Sequence, residues 1–125
     1  MRFLYIEDHP INAKLMRGFV ESIWGLDLDV AETAEEGLAR IGETDYDLVF
    51  IDINLPGKSG LDVIHVIRGN DNLKGLPLIV VSADTTRSLV SEVHNLGVAY
   101  LSKPIDALRL QTMTEEALLK SGTLH

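Results

Sequence analysis

The residues of this chain with the most chemical potential each stand directly behind a short apolar run. Glu7-Asp8 follow Phe3 to Ile6, Asp52 follows Leu48 to Ile51, Ser82 follows Leu78 to Val81, and Ser102-Lys103-Pro104 follow Val98 to Leu101. If these runs are strands of one sheet, three carboxylates, a hydroxyl and an ammonium meet on one rim. Converging carboxylates repel and need a cation, a proton or a lysine to be tolerated. A single lysine does not balance three acids. A hard divalent cation with oxygen ligands does, and Mg²⁺ takes a few carboxylate or carbonyl oxygens while keeping waters and a phosphate. In such a pocket a carboxylate can act as a nucleophile toward phosphorus, and Asp52 is the best placed of the three. Lys103 and Ser82 can then share the oxygens of the incoming group, because phosphoryl transfer depends mainly on positioning and charge neutralisation.

Taken singly, each residue has a plainer reading. Glu7-Asp8 can cap a following helix, Asp52 can be a turn residue ahead of Asn54-Leu55-Pro56-Gly57, Lys103 a solvated charge and Ser82 a helix-approach hydroxyl. Their shared position at the ends of apolar runs is what argues for a site.

The elements that must position them are legible as an alternation. Besides the four runs above, Leu28 to Ala31 forms a fifth apolar segment, and helical patterns lie between all five. Pro10 suits an opening helical turn, and Ile11, Leu15, Phe19 and Ile23 predict a core-facing stripe. Thr33-Ala34-Glu35-Glu36 reads as a capping box ahead of Leu38 and Ile41. A third helix is predicted from near Ser59, burying Leu61, Ile64 and Ile67 and ending at Gly69 in the left-handed conformation. Leu89, Val93 and Leu96 mark a fourth that Gly97 closes, and Leu110, Met113 and Ala117 a fifth that runs out before Gly122. The tail Thr123-Leu124-His125 is expected to fray. Strands alternating with helices imply parallel pairing and a sheet covered on both faces. Leu48-Val49-Phe50-Ile51 and Leu78-Ile79-Val80-Val81 are apolar throughout, as interior strands are, whereas Leu28-Asp29-Val30 alternates like an edge. The predicted fold is an α/β open doubly wound five-stranded sheet, and such sheets bind ligands in the crevice at the carboxyl ends of their strands.

Bulk composition narrows the function further. A chain of 125 residues accommodates one domain with its own core. It has no cysteine, which excludes a disulfide framework and thiolate chemistry and fits a reducing, cytoplasmic setting. The first apolar run stops at Glu7, far short of a signal peptide, and no stretch approaches the roughly 20 apolar residues of a membrane helix. A formal charge of −8 disfavours direct contact with nucleic acid and suits a cation or a protein partner. His9, His65, His94 and His125 show no paired metal spacing and are assigned to no metal.

With these residues in place, the whole chain resembles the receiver domain of two-component and phosphorelay response regulators. Glu7-Asp8 matches the family's acidic pair, Asp52 its phosphoacceptor, Ser82 its Thr/Ser, Tyr100 its aromatic switch position and Lys103-Pro104 its Lys-Pro pair. Leu55-Pro56-Gly57-Lys58-Ser59-Gly60 resembles its Pro-containing loop. The resemblance implies a flavodoxin-like sheet in the order 2-1-3-4-5, spanning one receiver domain over residues 1–125 with a core over about 2–119. It implies Mg²⁺ held by Asp8, Asp52 and the backbone carbonyl of Asn54, with Glu7 acting through water, and Lys103 pairing with phosphate. It further implies a switch in which Ser82 moves toward the phosphoryl group and Tyr100 swings inward. Signal would then leave through the fourth helix, fifth strand and fifth helix, with partners reading Arg87, Val90, Ser91, His94 and Tyr100. The implied partners are a histidine kinase or histidine phosphotransfer protein upstream and a protein target or output domain downstream, with room for a phosphorylation-dependent homodimer. Asn54 and Asp84 occupy positions where family members differ and where side chains influence how long the phosphoryl group survives. The run Glu7 to Asn12 is similar to the first loop of receivers in hybrid kinases and phosphorelays, and the ending after the fifth helix fits a stand-alone regulator or a piece of a longer protein.

Competing readings fare worse. A Mg²⁺-dependent aspartyl-phosphate hydrolase of the haloacid dehalogenase class needs a second Asp two residues after the nucleophile, where this chain has Asn54. Gly57-Lys58-Ser59 hints at a nucleotide-binding loop, but the first glycine of that motif would fall on Asp52, whose charge repels phosphate. A degenerate receiver that docks partners without phosphorylation is disfavoured because every chemical position holds a competent residue.

Overall fold

The computed structural model describes residues 1–123, so the fraying expected at Leu124 and His125 lies outside the described residues. Five strands and five α-helices alternate: β1 (Phe3–Ile6), α1 (Pro10–Trp24), β2 (Leu28–Ala31), α2 (Ala34–Glu43), β3 (Leu48–Asp52), α3 (Gly60–Arg68), β4 (Leu78–Ser82), α4 (Arg87–Asn95), β5 (Ala99–Ser102) and α5 (Ala107–Ser121). All pairings are parallel, in the order β2-β1-β3-β4-β5. The expected doubly wound architecture is therefore present, with β2 at an edge as its alternating sequence required. β1, β3 and β4 are buried along their whole length, which is why their sequences carry no polar alternation.

The helices form two layers. On one face of the sheet, Phe3, Tyr5, Phe50 and Val81 pack with Met16, Val20, Leu110 and Leu118 of α1 and α5. On the other, Leu4, Ile6, Val49 and Val80 pack with Ala34, Ile41, Ile64, Ile67 and Val93 of α2, α3 and α4. No helix among the described residues is long and apolar enough to cross a membrane.

Three local expectations differ from what is observed. The buried face of α1 is Ala13, Met16 and Val20, while Ile11 and Leu15 are 74% and 57% exposed. Rows at four-residue spacing slip about 40° per step around a helix, so the stripe crosses from solvent at Ile11 to partial burial at Phe19 and Ile23. Gly69 has φ −80°, not a left-handed value, because the chain continues through a short 3₁₀ turn at Asp71–Leu73; Leu61 is only partly buried and Val63 takes its place in the core. The box at α2 is half reciprocal: Thr33 accepts from the Glu36 amide, but the Glu36 carboxylate reaches the amide of Glu32 instead of Thr33. Gly97 and Gly122 do take positive φ, of 73° and 84°, and close α4 and α5 as expected.

Candidate functional site

Parallel strands in register bring their carboxyl ends to one rim, and the polar residues that follow them arrive there together. Ile6 of β1 is level with Ile51 of β3, and Ser82 of β4 with Ser102 of β5. Glu7, Asp8 and Asp52 each offer a carboxylate oxygen, and those oxygens lie within 4.8 Å of one another. Glu7 is 1% and Asp52 5% exposed. Lys103 reaches this cluster from the end of β5, its Nζ 3.3 Å from Asp52 Oδ2 and 3.4 Å from Glu7 Oε1.

The donors available to the acids are few. Asn54 donates its amide to Asp52 Oδ1 at 3.2 Å, and Asn12 donates its side-chain amide to Glu7 Oε1 at 2.6 Å. Glu7 Oε2 and Asp8 Oδ1 are buried without a hydrogen-bond partner among the described residues. Burial pushes the Glu7 carboxyl up to about 7, helped by the closeness of the Asp52 carboxylate, against the opposing pull of Asn12 and Lys103. Unpaired buried carboxylate oxygens are costly, and a cluster of hard oxygen donors with such oxygens suits a divalent cation.

Ser82 is fully buried and its hydroxyl accepts from the Asp84 amide at 3.1 Å. Asp84 turns away toward Thr86, whose hydroxyl and amide both donate to its Oδ1, and these bonds, the hydroxyl's foremost, hold its carboxyl below the ordinary range at an exposed position. Tyr100 overturns one expectation. It is only 8% exposed and packs in the core beneath α4, so it does not share the surface of Arg87, Ser91 and His94, which are exposed, or of the half-buried Val90. Its neighbour in register, Val80, shows why: Tyr100 falls on the inward-facing set of the α4 side of the sheet.

Asn12 was not among the sequence candidates. Its only signal is its place one turn into α1, five residues beyond Glu7. Gly60 was read merely as the last residue of the Pro-containing loop, yet a Cβ there would run into the Asp52 carbonyl oxygen, so the backbone packs tightly against the end of β3.

The family model described as "Response regulator receiver domain" matches residues 3–115. The chain belongs to that family. Receiver domains are phosphoryl-accepting signalling modules of two-component systems, not classical enzymes; as a family they bind Mg²⁺ at an acidic pocket and work with histidine kinases and output domains. Among relatives, the sensory/regulatory protein RpfC of Xanthomonas campestris is 32% identical over 88% of this chain, which spans 15% of that protein. Chemotaxis protein CheY-3 of Vibrio cholerae is 27% identical over 89% of this chain and 86% of its own length. Among solved structures, a sensor protein from Polaromonas sp. JS666 superposes with a TM-score of 0.86 at 30% identity, covering 96% of this receiver and 97% of that chain.

Proposed function

We propose that this receiver accepts a phosphoryl group on Asp52 from a phosphohistidine of a histidine kinase or phosphotransfer protein. The observation that carries the reading is the approach of Glu7, Asp8, Asp52 and Lys103 on one nearly closed rim. A carboxylate oxygen of Asp52 attacks phosphorus, the P–N bond to the donor imidazole breaks, and the imidazole leaves with its electron pair and takes a proton from solvent. Asp52 needs no separate base, since it reacts as a carboxylate. Lys103 already sits on the Asp52 carboxylate, where its ammonium can turn to the phosphoryl oxygens as charge moves onto them.

Mg²⁺ fits the donor set, with Asp8, Asp52 and the Asn54 backbone carbonyl as ligands and Glu7 acting through water; the partnerless oxygens of Glu7 and Asp8 support this assignment. When bound, the ion neutralises the acids and the phosphoryl oxygens. The Ser82 hydroxyl accepts from the Asp84 amide and retains its own proton to donate to a phosphoryl oxygen. Burial of Tyr100 supports a readout through the α4–β5–α5 side in which the aromatic ring props α4 from beneath. Exposed Ile11, Leu15 and Leu108 stand in the opening turns of α1 and α5, which both start at this rim, and they suit the apolar face of a protein donor.

The test is intact mass after incubation with a small-molecule phosphodonor, with and without Mg²⁺, on the parent chain and Asp52→Ala. A Mg²⁺-dependent gain of one phosphoryl group that disappears in Asp52→Ala is expected. No gain in folded, Mg²⁺-binding protein would favour a docking module that works without phosphorylation.

A further inference from the structure

Glu7 Oε1 receives two donors of different character. The Asn12 side-chain nitrogen lies 2.6 Å away, while the Lys103 ammonium lies 3.4 Å away and is shared with Asp52 at 3.3 Å. The other oxygen, Oε2, is buried with no partner among the described residues. An ionised carboxylate only accepts, so its donors decide which oxygen is taken and which is left. The last torsion of a glutamate is broad and roughly two-fold, and burial does not choose between the two oxygens. The short bond to Asn12 does.

Asn12 is held where it can keep that bond. It is the third residue of α1, half-buried, and stands just behind Pro10, which opens the helix. Ala13, Met16 and Val20 are the buried residues of α1, and a helix seated on them has its rotation set, which turns Asn12 toward the rim. Lys103 is the contrasting donor. Its ammonium rides on a flexible four-carbon stem, divides its contacts between two acids, and is the group that turns to the phosphoryl oxygens in the reaction described above.

We propose that Asn12 is a positioning residue of the phosphoacceptor pocket: it holds Glu7 Oε1 in place when Lys103 turns away, and so keeps Oε2 free to accept from a water on Mg²⁺. The inference rests on the Mg²⁺-dependent reading of the pocket and deepens it, since it makes the first turn of α1 part of the support for the ion. Asn12 acts through Glu7 and not as a ligand. In the resting protein the two donors share the task, and once Lys103 is engaged elsewhere Asn12 carries it alone.

The test measures Mg²⁺ affinity by titration calorimetry on the full chain, without phosphodonor. Asn12→Ala puts the best helix former into α1, so the variant folds, and it should bind Mg²⁺ about 10-fold more weakly, the low end of the loss when a group supporting a ligand is removed. In the Glu7→Ala background there is no carboxylate to hold, and adding Asn12→Ala should change the affinity by no more than about 2-fold, the margin of additivity for independent sites. A merely structural role for Asn12 would weaken binding equally in both backgrounds. In Lys103→Met, where Asn12 is the one donor left on Glu7 Oε1 among the described residues, the Asn12→Ala loss should be larger than in the parent chain. Mg²⁺ binding by the parent chain with the same affinity in Asn12→Ala, an equal loss with and without Glu7, or a smaller loss in Lys103→Met would each overturn the inference and leave the Mg²⁺ reading standing. No Mg²⁺ binding by the parent chain would overturn both.

Discussion

Lys103 Nζ stands 3.3 Å from Asp52 Oδ2, across 51 residues of sequence, and only a fifth of the lysine side chain is exposed. Among the described residues it is also the one cation within 4 Å of Glu7. Removing it leaves three acids facing one another. Lys103→Met should therefore unfold at lower denaturant in EDTA at pH 8, by about 1–3 kcal/mol, and saturating Mg²⁺ should restore most of the difference. At saturating Mg²⁺ its phosphorylation rate should still fall about 100-fold, the scale of losing one preorganised charge contact. Equal stability of the two proteins in EDTA would show that the ammonium does not balance the acids.

Glu7 gives the metal-free protein a distinctive pH dependence. Its folded value of about 7 lies above its ordinary value of 4.5. A raised folded pKa contributes stability that is fully present below the unfolded value and is lost as pH rises through the folded one. In EDTA, the parent chain should lose stability relative to Glu7→Gln between pH 5 and pH 8, by on the order of 2 kcal/mol. Paired denaturant curves at the two pH values measure it, and a difference independent of pH would contradict a Glu7 carboxyl that ionises reluctantly.

Gly60 limits what the end of β3 tolerates. Its amide donates to Ile53 O at 2.9 Å, and a Cβ would meet the Asp52 carbonyl oxygen and Ile51 Cγ2. Gly60→Ala should cost about 1–3 kcal/mol and also weaken Mg²⁺ binding, since the strain falls on the backbone carrying Asp52. Gly18, in the middle of α1 with open space around it, is the control: Gly18→Ala should gain about 0.5–1 kcal/mol from helix propensity. Equal effects of the two substitutions in thermal unfolding would refute the contact.

The sheet was legible because its interior strands are apolar end to end, and the acidic rim was legible because parallel register carries the residues after each strand to one edge. The errors came where one helix turn or one strand register decides the outcome. In α1 the residues at four-residue spacing drift around the axis, so Ile11 and Leu15 read as core but face solvent. Asn12 reaches Glu7 only because α1 starts immediately beside the rim, which no residue pattern announces. Tyr100 entered the expected partner surface only through the family resemblance, yet its register with Val80 turns it inward.

That inward placement makes the Tyr100 hydroxyl informative. It is buried with no hydrogen-bond partner among the described residues, in the core cluster that also holds Val80, Val93 and Val98. Replacing an unpaired buried hydroxyl by hydrogen removes a desolvation cost without opening a cavity, so Tyr100→Phe should raise stability by about 0.5–1 kcal/mol in the unphosphorylated protein. Tyr100→Ala removes the ring from beneath α4 and should cost about 3–5 kcal/mol. If phosphorylation is read through α4, the Phe variant should keep its partner affinity, since the ring still props the helix, and a milder Tyr100→Leu should lower it. Denaturant unfolding of the Phe variant decides the first point: a loss of stability would mean that the hydroxyl has a partner, and that the ring does not rest where its burial places it.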